Sequence, residues 1–312
     1  MVELRTISNS QMHVWENCPQ EWYYGYEEEL RRDRVSTKFF DFGNYAHELS
    51  HVYYQTMKAG SYKPGSDFLV KMMEARVRQD LTGENVSNVS KVWPRLLQFI
   101  TQHSPLIDSG IKVLGVELEF HITVITPKGR EIQLHGFIDL MYQDSTGRIR
   151  IRDTKTGGKK GTHSANSVKL DDQLLFYAVA MTEMYGQDIL DVEINWISST
   201  FTKEQKPLSE LFALYRYQHT PVGLSIAKAN ILQKIDRMLD MDTYKNYSPR
   251  CPNCQFFDIC HLESRGQNVN NLIANTYKKG RSNEHRDRSN KTSTGEEHSF
   301  GNKEIEIRII NI

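Results

Sequence analysis

Apolar side chains recur at helical spacing through the first third of the chain, which predicts a region built mainly of helices. Pro19 interrupts the first predicted helix and Thr82-Gly83 interrupts the last one, because proline and glycine both disfavour a helix interior. The predicted helices of this region cover residues 10–30, 43–59 and 67–102.

From Ile111 onward, β-branched residues alternate with polar ones, and this pattern predicts strands. The sequence Asp144-Ser145-Thr146-Gly147 is typical of a turn, so it predicts a hairpin between the strands on either side. The predicted strands cover residues 111–126, 131–143, 148–154 and 191–198, and further helices cover 170–185 and 221–240. This order predicts an α/β fold in which helices flank a mixed central β-sheet.

The composition narrows the class of protein. The 312 residues are 38 % hydrophobic and 25 % charged with zero net charge, so a nucleic-acid site must be a local patch on a globular domain. No apolar run reaches the roughly 18 residues of a membrane span. The first residues carry no apolar export signal, so we expect a cytoplasmic protein without a membrane partner. Polar composition predicts a disordered tail over residues 264–312, after a domain formed by residues 1–263.

Charged residues at the end of the predicted hairpin form the strongest candidate site. Asp153 and Lys155 share one face of the second strand, and a turn centred near Thr146 places Asp139 opposite or diagonal to Asp153. Two carboxylates this close favour a cation between them, and carboxylate oxygens suit Mg²⁺ or Mn²⁺. A neighbouring lysine can orient a water molecule or stabilise negative charge on a phosphate.

Five motifs follow one another along the chain in an order that is more specific than any of them alone. They are Ser8-Asn9-Ser10 to Cys18-Pro19 with the aromatic run after it, His47 in a predicted helix, Gly136 to Asp139, Asp153 to Lys155, and Gln173 with Tyr177 on a later helix. This order resembles the PD-(D/E)XK nuclease superfamily, specifically its RecB-like exonuclease branch, over roughly residues 8–262.

The resemblance implies a restriction-endonuclease-like core with a helical insertion, and a metal-dependent DNA exonuclease activity. It also implies that a divalent metal is held by His47, Asp139, Asp153 and the backbone carbonyl of Thr154. Lys155 would position or activate the attacking water, while Gln173 and Tyr177 would support the site and contact DNA. Glu117 falls where relatives often carry a glutamate, but the sequence assigns it no role.

A glycine-rich basic loop follows the second acidic strand, and we expect its Lys159 and Lys160 to contact nucleic acid. The resemblance implies DNA as the partner, in recombination, repair or phage DNA processing inside a bacterium or a phage-infected host cell. It adds a helicase or recombination protein as a second class of partner. The sequence leaves the oligomeric state open.

The four cysteines are placed as the ligands of one metal site would be. Cys251, Cys254 and Cys260 form a C-x2-C-x5-C segment, and Cys18 stands alone near the N-terminus. Four thiolates suit structural zinc or an iron–sulfur cluster, and spacing alone does not choose between them. Iron–sulfur RecB-like nucleases, among them the CRISPR-associated RecB-like family and the AddB nuclease domain, have a similar arrangement. The resemblance therefore implies a [4Fe-4S] cluster that closes the domain, with zinc as the alternative occupant.

Two other functions stay open at this point. His47-Glu48-Leu49-Ser50-His51 matches the H-E-x-x-H pattern of zinc metalloproteases, although this reading gives Asp139 and Asp153 no role. The chain could instead be a DNA-binding or recombination module on a nuclease fold, with cleavage secondary. The presence of both aspartates and of Lys155 argues against a pure binding module, which does not need them.

Overall fold

The computed structural model describes residues 4–32, 40–60, 63–80, 86–158, 165–200, 206–240 and 243–280. The chain divides into two compact units. The first consists of Met1–Trp22 with Arg34–Pro249, and the second of Tyr23–Asp33 with Arg250–Ile312.

The strands are, in chain order, β1 (Arg5–Ser8), β2 (Leu30–Arg32), β3 (Lys112–Ile125), β4 (Glu131–Gln143), β5 (Ile149–Gly157), β6 (Asp191–Ser198), β7 (Phe212–Gln218) and β8 (Tyr277–Lys279). The α-helices are α1 (Asn9–Asn17), α2 (Pro19–Trp22), α3 (Phe40–Gly60), α4 (Asp67–Asp80), α5 (Val86–Gln98), α6 (Ser104–Ile107), α7 (Ala165–Lys169), α8 (Asp172–Tyr185), α9 (Leu208–Leu211), α10 (Pro221–Leu239), α11 (Phe257–Ser264) and α12 (Asn270–Thr276). Within the described residues, none of the helices combines the length and the apolar composition that crossing a membrane requires.

The first unit is built on a mixed six-stranded sheet, which confirms the predicted fold class. Strand β4 pairs parallel with β1 and antiparallel with β3 and β5, β5 pairs parallel with β6, and β6 pairs antiparallel with β7. The four predicted strands are all present. The sequence did not predict β1 and β7, which are short and lie outside the long alternating runs.

One edge of β4 is shared by two strands, and this creates the opening at which the candidate site forms. Strand β3 pairs along nearly the whole of β4. On the other edge, β1 pairs with Ile132–His135 and β5 pairs with Leu140–Gln143. Residues Gly136–Asp139 lie between these two partners, so the Asp139 carboxylate can reach backbone that sheet pairing would otherwise occupy.

The helices before the sheet pack onto it through a large apolar cluster. Helices α3, α4 and α5 supply buried side chains such as Leu49, Met73 and Leu96, and the sheet supplies Leu140 and Tyr142. Helix α8 is buried along much of its length and contacts β3, β4, β5 and β6. Asp171 caps its N-terminus by accepting a hydrogen bond from the backbone N–H of Leu174. Packing thus fixes α3 and α8, the two helices that carry predicted site residues.

A fully buried charge network lies beside this cluster. The Arg152 guanidinium contacts Asp108 Oδ1 at 2.5 Å and Glu193 Oε1 at 2.6 Å, and all three side chains are fully buried. The hydroxyl groups of Tyr54 and Tyr142 accept further hydrogen bonds from the guanidinium. Such a network is stable only when every charged group has its partners, so it holds α3, β4, β5 and β6 in one arrangement.

The second unit extends past the predicted end of the structured chain. Strand β8 pairs antiparallel with β2, and the Tyr277 ring stacks on Phe256 with ring centroids 5.8 Å apart. The prediction that a disordered tail begins at residue 264 is therefore wrong for residues 264–280. This segment folds because Val269, Leu272 and Ile273 pack against the apolar cluster of the unit and β8 pairs with β2, which is far away in sequence. The remainder of the predicted tail, residues 281–312, lies outside the described residues.

Candidate active site

Asp139 connects the hairpin to helix α3. Its Oδ2 accepts a hydrogen bond from the backbone N–H of Thr154 at 2.8 Å and lies 3.3 Å from Nδ1 of His47. The pairing of β4 with β5 ends at Leu140 opposite Arg152, so Asp139 and Asp153 are the next residues of the two strands beyond the paired segment. Burial would raise the pKa of Asp139, but the hydrogen bond and charge of His47 and the Thr154 N–H lower it below its ordinary value. Asp139 is thus held as a carboxylate.

Glu117 joins the same cleft, a role that the sequence did not assign. Ligand atoms of His47, Glu117 and Asp139 all lie within 4.8 Å of one another. Glu117 has a φ of 46°, in the left-handed region that residues with a side chain rarely adopt, although the β3–β4 register is the same on both sides of it, with Val116 opposite Leu140 and Leu118 opposite Ile138. Strain of this kind commonly marks functional sites, and here it coincides with a carboxylate turned towards Asp139. The one sequence signal was an acidic residue between apolar neighbours in the run Val116-Glu117-Leu118.

Asp153, which is buried, and Lys155, which is half-buried, form an ion pair on β5. Lys155 Nζ lies 2.9 Å from Asp153 Oδ2, and the Asp153 side chain is only 4 % exposed. Burial raises the pKa of Asp153 to about 6, although the Lys155 charge opposes this and the Asp139 charge adds to it. Burial alone would lower the pKa of Lys155, but Asp153 raises it above its ordinary value, so the amine remains an ammonium group.

Helix α8 positions the lysine. Lys155 Nζ donates to Gln173 Oε1 at 2.6 Å, and Gln173 Nε2 donates to the Tyr177 hydroxyl at 2.8 Å. The spacing of four residues places Gln173 and Tyr177 on one side of α8, as predicted. Gly136 allows this approach, because a Cβ there would lie 3.1 Å from Tyr177 Cε1 and 2.8 Å from Phe120 Cζ. The glycine of the G-x-x-D motif is therefore explained by packing.

The donor set fits a divalent cation. Asp139 and Glu117 supply carboxylate oxygens, and His47 supplies an imidazole nitrogen, a combination that suits Mg²⁺ or Mn²⁺. Asp153, which pairs with Lys155, lies outside this three-donor group of described residues. The raised pKa of Asp153 indicates that Lys155 alone does not balance the buried negative charge. Thr154 lines the same cleft, as expected for the backbone position predicted to face the metal.

His47 therefore lies in the cleft beside the carboxylates of Glu117 on β3 and Asp139 on β4. His51 lines the cleft as well. Among the described residues, however, neither Glu48 nor His51 has its ligand atom close to those of two other possible metal ligands. Within the part of the chain that the structure describes, His47 and His51 thus do not share a three-donor group, as the zinc site of a metalloprotease would require. Lys159 and Lys160 lie outside the described residues, so their contact with nucleic acid stays a prediction.

The cysteines fall in both units and are of intermediate exposure. In the second unit, Cys251 begins a 3-10 turn in which the Cys254 N–H donates to the Cys251 carbonyl at 3.0 Å, and Cys260 lies in α11. Cys18 belongs to the first unit, where its N–H caps α1.

Comparison with known proteins supports one family. The PD-(D/E)XK nuclease superfamily profile matches residues 6–261. No curated protein matches this sequence. Among solved structures, a candidate exonuclease from Eubacterium rectale is 12 % identical with a TM-score of 0.48, and covers 80 % of this chain and 87 % of its own. The protein SSO0001 is 14 % identical with a TM-score of 0.39, at 83 % and 87 % coverage. The alkaline exonuclease LHK-Exo from Laribacter hongkongensis is 10 % identical with a TM-score of 0.28, at 71 % and 91 %.

The family match spans the helix that carries His47, the acidic hairpin and the helix that carries Gln173 and Tyr177, which are the elements that build the cleft. The chain therefore belongs to the PD-(D/E)XK nuclease superfamily.

Proposed function

We propose that this protein is a Mg²⁺- or Mn²⁺-dependent deoxyribonuclease that acts as an exonuclease. The observation that carries the proposal is the meeting of Asp139, Glu117 and His47 at one cleft, next to the ion pair of Asp153 and Lys155. The order of motifs resembles RecB-like exonucleases, which supports DNA as substrate and digestion from an end. The same resemblance supports a cytoplasmic role in recombination, repair or phage DNA processing, with a helicase or recombination protein as partner.

The chain's own residues divide the work of phosphodiester hydrolysis. When bound, the divalent metal supplies Lewis-acid stabilisation of charge on the phosphate and activates water. His47, Asp139, Asp153 and the Thr154 carbonyl would hold it, and we add Glu117 to this set because of its position in the cleft.

Lys155 acts as a hydrogen-bond donor and not as a base, because its ammonium form is favoured. Gln173 accepts a hydrogen bond from Lys155 Nζ and Asp153 pairs with a second N–H, which leaves the third N–H to point towards the attacking water or the phosphate. Tyr177 in turn holds Gln173.

Digestion of end-labelled linear DNA and of closed circular DNA, each with Mg²⁺, Mn²⁺ or EDTA, tests the proposal. We expect linear DNA to be degraded in either metal, circular DNA to remain intact, and EDTA to stop the reaction. Lys155→Gln should lower the rate about 100- to 1000-fold, the usual effect of losing one donor to a transition state. Lys112→Gln, which changes an exposed lysine of β3, is the matched control and should leave the rate unchanged.

Each contrary result points to a specific error. Near-normal cleavage by Lys155→Gln would refute the site, and cutting of circular DNA would refute the exonuclease mode. DNA binding with no cleavage in any metal would favour the alternative, a binding or recombination module on a nuclease fold.

We further propose that Cys18, Cys251, Cys254 and Cys260 bind a structural [4Fe-4S] cluster, with zinc as the alternative. Support comes from the C-x2-C-x5-C spacing and from the resemblance to iron–sulfur RecB-like nucleases. Anaerobic purification followed by iron, sulfide and zinc analysis tests this. About four irons per chain, lost in Cys254→Ser, are expected. One zinc per chain would select the alternative, and neither metal would refute a four-thiolate site.

A further inference from the structure

A second group of metal-binding side chains lies on β3 and β4, outside the proposed catalytic residues. Glu119 and His121 are two residues apart on β3, and His135 pairs directly with His121 across the two strands. Residues two apart on a strand, and residues opposite each other on paired strands, point to the same side of a sheet. The side chains remain accessible, with 53 % of Glu119, 46 % of His121 and 24 % of His135 exposed.

The donor atoms of this group are already arranged as a metal would need them. Glu119 Oε1 lies 3.2 Å from Nε2 of His121 and 3.2 Å from Nε2 of His135. All three donor atoms lie within 4.8 Å of one another. In a tetrahedral site with bonds of roughly 2.0–2.1 Å, neighbouring ligand atoms are roughly 3.3 Å apart, which is close to the observed separations.

Surrounding contacts hold the two imidazole rings in place. The rings of His121 and His135 stack with centroids 4.3 Å apart and an angle of 21° between their planes. Nδ1 of His121 lies 3.1 Å from Gln133 Oε1, so the ring can donate its Nδ1 hydrogen there and present Nε2 to a metal. The Phe137 ring contacts His135 edge to face, with centroids 5.2 Å apart. A ligand set supported in this way binds with little rearrangement.

We propose that Glu119, His121 and His135 form a binding site for a divalent transition metal of the zinc class. Two imidazoles and one carboxylate favour Zn²⁺, Ni²⁺ or Cu²⁺ over Mg²⁺, whereas the cleft around Asp139 and Glu117 is richer in oxygen ligands. His135 and Asp139 are four residues apart on β4, or roughly 13 Å along the strand, so the two sites bind separate ions. The bound ion links β3 to β4 and leaves at least one coordination position open to solvent.

Zn²⁺ binding to the full-length protein, stripped of loosely bound metal, tests the site by equilibrium dialysis. We expect His121→Gln and His135→Gln each to bind one Zn²⁺ fewer per chain than the wild type, because two remaining donors hold the ion at least tenfold more weakly. His13→Gln, which changes an exposed histidine of α1, is the matched control and should bind as many as the wild type.

Glu119→Gln preserves the shape of the side chain and provides a second test should a histidine variant fold poorly. It should weaken binding of the same Zn²⁺ at least tenfold, with an unchanged circular dichroism spectrum. Equal Zn²⁺ binding by the wild type, Glu119→Gln and His121→Gln would overturn the proposal. The measurement does not involve DNA cleavage, so it stands or falls independently of the nuclease function.

Discussion

Replacing Asp153 with asparagine should stabilise the metal-free protein, although it removes a residue of the proposed catalytic site. The Asp153 side chain is almost fully buried, and burial raises its pKa to about 6 in spite of the Lys155 charge. The folded protein therefore holds this proton more tightly than the unfolded chain does. Ionising Asp153 costs folding free energy that an uncharged asparagine of the same shape does not cost.

The size of the effect follows from the pKa of Asp153. A rise from 3.8 to about 6 corresponds to about 3 kcal/mol, at about 1.4 kcal/mol for each pH unit. At a pH between these two pKa values, the folded state binds more protons than the unfolded state. The free energy of unfolding of the wild type therefore falls as the pH rises through this range. Asp153→Asn should therefore match the wild type below the lower value and exceed it by up to about 3 kcal/mol above the higher one.

Urea unfolding in EDTA across this pH range measures the difference. Asp188→Asn, which changes an exposed aspartate, is the control and should follow the wild type throughout. Adding Mn²⁺ at high pH should then reverse the order, because a ligand stabilises the state that binds it and only the wild type retains the full set of carboxylates. If Asp153→Asn were less stable than the wild type at high pH in EDTA, attraction to Lys155 would outweigh the cost of burial, and the reasoning would fail.

Two further variants test how the fold supports the site. Gly136→Ala places a Cβ 3.1 Å from Tyr177 Cε1, so it should cost about 1–3 kcal/mol of stability in urea unfolding and reduce DNA cleavage by displacing that ring. Gly280→Ala, whose Cβ meets no atom within 4 Å, should change neither quantity. Asp108→Ala leaves the buried Arg152 charge without one of its carboxylates and should cost about 3–5 kcal/mol. A loss below 1 kcal/mol in the same unfolding assay would contradict this.

The sequence by itself determined the hairpin and the positions of the two aspartates on it. Alternation fixed which residues of β4 and β5 point the same way, and a short turn fixed the register between them. Asp139 and Asp153 therefore follow directly after the last paired residues of the hairpin, Leu140 and Arg152. The four-residue spacing of Gln173 and Tyr177 likewise fixed their common side of α8. These features depend on local geometry, which residues near one another in sequence are sufficient to define.

Only the tertiary structure decided which other residues reach the cleft. Glu117 enters it because the pairing of Val116 with Leu140 and of Leu118 with Ile138 sets it across from Asp139, and the periodic pattern of one strand does not encode that pairing. In the sequence, Arg152 looks like an ordinary polar position of an alternating strand. In the structure it is fully buried on β5, which lies between β4 and β6. The two carboxylates that pair with its guanidinium, Asp108 and Glu193, come from segments distant in sequence. The same holds for Tyr277, which looked like part of a polar tail and is buried against Phe256. Long-range pairing decides burial and partners at these positions, and hydrophobic periodicity carries no information about it.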